Sequence, residues 1–170
     1  MFFRMNHIGI IGLGNPLRHD DGIGLELLRC LEKHKSEFGR NIEYIDGGTG
    51  GVNLLHLFPR FSLVLLIDAV DFKGKPGETQ VFTLHDLLYK KTPVLTTSHE
   101  TDFLNIIALS RELNELPRDL FVFGVQPSDV SFGRGLSEML QPLVQGLCEK
   151  LCEELHIILT KHGKNHELSD

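Results

Sequence analysis

Apolar residues in this chain fall into short unbroken runs separated by stretches of helical spacing, and the two patterns alternate. The first run, Ile8-Gly9-Ile10-Ile11, stops at Gly12-Leu13-Gly14-Asn15-Pro16. A β-branched run halted by Gly, Asn and Pro predicts a buried strand entering a tight loop. From Asp21 the period changes, and Ile23, Leu27, Leu28 and Leu31 share one helical face. A second strand, Ile42–Ile45, ends at Asp46-Gly47-Gly48, and a short helical pattern follows through Val52, Leu54, Leu55 and Phe58 to Pro59. The strongest strand is Leu63-Val64-Leu65-Leu66-Ile67, closed by Asp68. An apolar run without alternation fits a strand covered on both faces, as in a parallel sheet. Thr79–Leu84 does alternate, which predicts an antiparallel edge strand. Thr97-Ser98-His99-Glu100 has the look of a capped helix start, with Phe103, Ile106, Ile107 and Leu113 continuing the helix. Leu120–Val125 is the last strand and ends at Gln126-Pro127. A final helix is expected over roughly Leu136 to Leu159, and the polar residues 161–170 are expected to fray.

Strands alternating with helices predict an α/β fold: a three-layer α/β/α sandwich around an open, mostly parallel twisted sheet of about five strands. One domain over residues 1–160 and a flexible polar tail over 161–170 account for the chain. Ligands of such sheets bind beyond the carboxyl ends of the strands. The Gly12 loop, Asp46, Asp68 and Gln126 all end strands here, so that rim is where a site should lie.

Composition narrows the function classes. The chain has 170 residues and a formal net charge of −6. An acidic balance argues against a nucleic-acid partner, because phosphate backbones reward clustered positive charge. With a mean hydropathy of −0.04 and no apolar run near the roughly 18 residues of a span, no membrane helix is expected. The Met1–Arg4 start is too short for a signal peptide. Three cysteines without framework spacing suggest a reduced, cytoplasmic protein.

Several residue sets could carry chemistry. Gly12-x-Gly14 begins like a dinucleotide fingerprint, with Asp46 in the place of a ribose-binding acid, but Leu17 stands where the third glycine belongs and Pro16 stiffens the loop. Asp20 and Asp21 both suit helix capping. Two adjacent carboxylates repel, so one of them is expected to have another partner. Asp68, at the end of a wholly apolar strand, is close to desolvated and needs a cation, donors or a raised pKa. His99 opens a helix near the same rim, and an imidazole there can bind a metal through one nitrogen. A histidine with rim carboxylates and open coordination positions suits Ni, Zn or Fe(II) better than Ca or Mg. The other eight of the nine histidines lack a matched acid or lie in solvent-facing positions, His162 and His166 in the tail among them. Cys148 and Cys152, four apart on the last helix, read as small core residues because no second Cys/His pair is evident. No GxSxG elbow is present for a serine hydrolase.

The segments Gly12–Gly24, Ile45-Asp46-Gly47-Gly48-Thr49, Ile67-Asp68-Ala69, Ser98-His99 and Gly124-Val125-Gln126-Pro127 resemble, in order and spacing, the [NiFe]-hydrogenase maturation proteases. The resemblance runs from about Ile8 to the last helix. It implies a cytoplasmic endopeptidase of aspartic type that removes a C-terminal extension from the precursor of the hydrogenase large subunit after nickel insertion. The family's metal-binding and catalytic positions fall on Asp21, Asp68 and His99. Its glycine-rich loop, which shapes the substrate cleft, falls on Gly47, Gly48 and Gly50. Nickel would arrive with the precursor, although Zn or another divalent ion could occupy the site in isolated protein. The expected partner is the precursor, met by a monomer, with no nucleic acid and no membrane involved. Two rival readings stand beside it. One is a nucleotide- or phosphate-binding domain using the Gly12–Gly14 loop and Asp46. The other is a nickel-sensing chaperone that cuts nothing.

Overall fold

The structure is a computed structural model that describes residues 7–39, 41–89, 94–95 and 100–167. In chain order the elements are β1 (Ile8–Gly12), α1 (Ile23–Glu32), β2 (Ile42–Asp46), α2 (Asn53–Leu57), β3 (Leu63–Asp71), β4 (Thr79–Thr83), α3 (Leu84–Tyr89), β5 (Val94–Leu95), α4 (Glu100–Glu112), β6 (Asp119–Val125) and α5 (Val144–Glu167). The sheet runs β2-β1-β3-β6-β4, with β5 paired to the far end of β3. All pairings are parallel except β4 on β6 and β5 on β3. The expected three-layer α/β sandwich is the observed one, and Thr79–Thr83 is its antiparallel edge.

β3 shows why the run at Leu63 lacks alternation. Leu63, Leu65, Ile67 and Ala69 enter one core with Leu27 and Leu31 of α1 and Leu147, Leu151 and Leu155 of α5. Val64, Leu66 and Val70 enter the other, with Leu54 of α2 and Phe103, Ile106 and Ile107 of α4. A central strand between two helical layers must be apolar on both sides. Side chains alternate along a strand, so Asp68 falls on the Leu66 and Val70 face, beneath α2 and α4.

Three expectations change. The stretch after β4 holds α3 and the two-residue β5, neither of which the periodicity announced. The last helix begins at Val144 rather than near Leu136, since Pro142 sits in a short 3-10 turn at Gln141–Leu143. A proline pre-sets the first turn of a helix but cannot sit within its interior hydrogen bonds. That helix also continues past Leu159 to Glu167. His162, placed in the fraying segment by sequence, is buried; its Nδ1 pairs with Asp119 Oδ2 at 2.5 Å.

Candidate functional site

The loop after β1 is closed by its own hydrogen bonds. Leu13 N–H donates to Ile67 O (2.8 Å), Gly14 N–H to Gly48 O (2.7 Å) and Arg18 N–H to Asn15 O (3.0 Å). Asn15 N–H donates to Asp21 Oδ2, and Leu17 N–H to Asn15 Oδ1, both at 3.0 Å. Pro16 has no N–H to offer. Every amide from Leu13 to Arg18 is therefore committed, and none faces outward to cradle a pyrophosphate. The glycines serve close packing instead. Gly14 has φ +142°, and a Cβ there would lie 1.9 Å from the Asp21 carbonyl oxygen. Asp46, the would-be ribose acid, accepts the Gly48 N–H at 2.9 Å and so closes its own turn. The nucleotide reading loses its amide donors at the first loop, and its ribose acceptor is engaged at the second.

Asp20 and Asp21 follow in a 3-10 turn, and neither caps α1 through its side chain. Asp20 is fully buried and reaches across to the segment after β6. It accepts from Ser128 N–H (2.8 Å), Asp129 N–H (2.9 Å), Ser137 N–H (2.7 Å) and the Ser137 hydroxyl (2.8 Å). The backbones add bonds of their own, with Asp20 N–H to Asp129 O and Gly133 N–H to Leu17 O, both at 2.9 Å. Arg18 Nε donates to Val130 O at 3.0 Å, and His19 Nδ1 lies 2.9 Å from Gly135 O. Asp20 thus clasps two rim loops together. The capping expectation missed this because the partners lie more than 100 positions away, beyond any local pattern.

Asp21 turns the other way. It is 2% exposed and lies close enough to Asp68 for its charge to act on that carboxyl. Asp68 has no exposed surface. Its Oδ1 accepts the Ala69 N–H at 2.8 Å, and its Oδ2 has no hydrogen-bond partner among the described residues. Burial, followed by the nearby Asp21 carboxylate, holds the Asp68 carboxyl well above the usual aspartate range, and the Ala69 amide opposes this only in part. Two rim carboxylates are brought together, as the sequence predicts. His99, the third member of the expected set, lies outside the described residues, as do Thr96 to Ser98.

Gly47, Gly48 and Gly50 form the turn between β2 and α2. Gly47 is buried, and a Cβ there would press Ile11 and Leu13 at 2.7 Å, while Gly48 and Gly50 take positive φ of 56° and 79°. The turn is bonded to the loop after β1 through Gly14 and Gly47, so it borders the same rim. Gln126, a further rim residue, is structural: its Oε1 accepts from Phe72 and Gly74 N–H at 3.0 and 3.1 Å and fixes the turn after β3.

A family model described as hydrogenase maturation protease matches residues 25–154. The hydrogenase expression/formation protein HupM of Azotobacter chroococcum mcd 1 is 31% identical, over 96% of this chain and 80% of its own length. HoxM of Azotobacter vinelandii, described in the same words, is 28% identical over 96% and 81%. Among solved structures, the hydrogenase maturating endopeptidase HybD from E. coli superposes with a TM-score of 0.72 at 23% identity, over 88% of this chain and 92% of that one. The [NiFe] hydrogenase maturation protease HybD from Thermococcus kodakarensis gives 0.63 at 26% identity, over 88% and 98%. The expected aspartic type is corrected by these matches, which are to maturation proteases.

Proposed function

The chain belongs to the hydrogenase maturation protease family, and from that premise we propose that it is the endopeptidase that trims the C-terminal extension of a [NiFe]-hydrogenase large-subunit precursor once nickel is in place. In this reading nickel is part of the substrate. Asp21, Asp68 and His99 complete the coordination of an ion that the precursor already holds, so only loaded precursor is gripped productively. Two carboxylates and an imidazole suit nickel or zinc, and their incomplete set leaves positions for the precursor's own ligands. Gly47, Gly48 and Gly50 border the groove that receives the extension, and water polarised beside Asp21 and Asp68 is the nucleophile.

The observation that carries the reading is the state of Asp68. A fully buried carboxyl with one oxygen lacking a partner among the described residues is costly to ionise. A divalent ion drawn against it removes that cost, and the adjacent Asp21 charge, unfavourable in the free protein, then becomes an asset. In this reading a monomer meets the precursor in the cytoplasm. No helix among the described residues is long and apolar enough to cross a membrane.

The test uses nickel-loaded and nickel-free precursor and reads the precursor's mass. C-terminal shortening of the loaded form alone is expected, lost in Asp21→Asn, Asp68→Asn and His99→Ala. A loaded precursor that stays intact with the unaltered protein refutes the protease. Equal trimming of both forms refutes nickel recognition.

A further inference from the structure

At the far end of α1 from the rim, two helices that are distant in sequence bring cysteine and histidine together. Cys30 lies in the last turn of α1 and His34 in the turn that follows it, its N–H donating to Leu31 O at 2.9 Å, while Cys148 and Cys152 are four apart on α5. The α5 pair shares a helical face, and α1 and α5 pack against each other in one core. One potential ligand atom each from Cys30, His34 and Cys148 lie within 4.8 Å of one another. The Cys152 thiol lies against that of Cys148 and feels Cys30 as well. Sequence spacing alone showed the α5 pair, and only the packing of α1 supplies its partner.

We propose that Cys30, His34 and Cys148, with Cys152 as the fourth ligand, bind one zinc-class ion that staples α1 to α5. Thiolates with an imidazole form the donor set of structural tetrahedral zinc, and such a set excludes Mg and Ca. With Zn–S bonds of about 2.3 Å, tetrahedral ligand atoms stand about 3.8 Å apart. The ligand atoms of Cys30, His34 and Cys148 need close by only about 1 Å, within reach of side-chain rotation, and Cys152, one turn further along α5, swings in beside them. Small apolar packing explains three cysteines in a core, but not an imidazole set among them.

His34 is also prepared for the role. Its Nδ1 lies 2.9 Å from Glu37 Oε1. An Nδ1–H donated to that carboxylate leaves Nε2 with a lone pair, the arrangement that orients metal-binding histidines. A groove of about 610 Å³ is lined by Glu32 and Lys35, which flank His34 in the chain, together with Gly39 and Tyr44. In the metal-free protein burial pushes the Cys148 and Cys152 thiols up, so they stay neutral and pack as apolar groups. Binding expels their protons to solvent and forms the metal–sulfur bonds. The site is separate from the rim, since nine residues of helix and turn between Asp21 and Cys30 span about 14 Å.

The experiment is a Co²⁺ titration of the full chain, metal-free and kept reduced. One equivalent should produce thiolate-to-cobalt charge-transfer absorption with tetrahedral ligand-field bands, and Zn²⁺ should displace it. Cys30→Ser and His34→Gln, both away from the tightest packing, should each weaken binding roughly 100-fold or more. Asp68→Asn should leave the spectrum unchanged. Absence of the thiolate band overturns the staple, as does its survival at full affinity in Cys30→Ser and His34→Gln or its loss in Asp68→Asn. A Cys30–Cys148 disulfide formed on mild oxidation, with no metal taken up by the reduced chain, also overturns it in favour of a redox pair.

Discussion

Asp20 and Asp21 are neighbours in sequence and equally withdrawn from water, yet they serve two regions built on opposite terms. Around Asp20 both carboxylate oxygens accept hydrogen bonds, and four bonds tie the 128–137 segment to the loop after β1. At Asp68, beside Asp21, the donors run short: the carboxyl is raised by burial and by its neighbour, and one oxygen lacks a partner among the described residues. Burial alone therefore does not reveal what a carboxylate is for; the supply of donors does. The satisfied one is architecture, and the frustrated one is where a cation would find a welcome.

Breaking the satisfied side should have the largest effect. Asp20→Asn keeps the shape but places an amide N–H₂ against backbone N–H donors. A loss of about 4 kcal/mol is expected, read as a lower denaturation midpoint at unchanged m-value. A loss below 1 kcal/mol would mean that the clasp is ornamental. Gly14→Ala, which joins the two sides, comes next. Its Cβ would meet the Asp21 carbonyl at a φ of +142°, so about 3 kcal/mol and a displaced Asp21 are expected. Thermal unfolding and precursor trimming should fall together.

On the frustrated side the expectation inverts. Asp68→Asn should cost less than about 1 kcal/mol, or even stabilise, because it removes a group whose ionisation the fold resists. Trimming should nonetheless drop roughly 100-fold. The pH dependence has a definite sign. The folded protein keeps the Asp68 proton to higher pH than the unfolded chain, so its contribution is complete below the ordinary aspartate value of 3.8 and is lost as pH rises toward the folded value. Asp68→Asn should abolish that downward slope, measured as stability against pH in metal-free protein. The smallest effect belongs to Phe132, 84% exposed beneath the Arg18 guanidinium at 5.5 Å. Phe132→Ala should cost about 0.5 kcal/mol, which would show that the clasp rests on Asp20 and not on this stacking.

Much of this was legible in the chain. The unbroken run at Leu63 marks a central strand, the alternation at Thr79 marks an edge, and Asp68 announces itself by ending the most apolar segment. α3 and β5 were hidden because short elements after a turn carry no full period. α5 starts later than the spacing predicts because Leu136 and Leu140 keep helical spacing while packing as loop residues. The division of labour between Asp20 and Asp21 could not be read locally, since Ser128 and Ser137 become partners only after β6 has taken its place. The same holds for Cys30 and Cys148: each helix shows half of a cluster, and only their packing makes it whole.

The Asp20 clasp also carries a temporal consequence. It closes a loop of more than 100 residues, and such distant pairings form late because chain entropy must be overcome before any bond rewards it. The rim can be completed only after β6 has docked on β3, so a nascent or partly folded chain holds a sheet but no finished cleft. Folding thus sets the order in which this protein becomes able to act, and thermal loosening should undo that ability before it undoes the core.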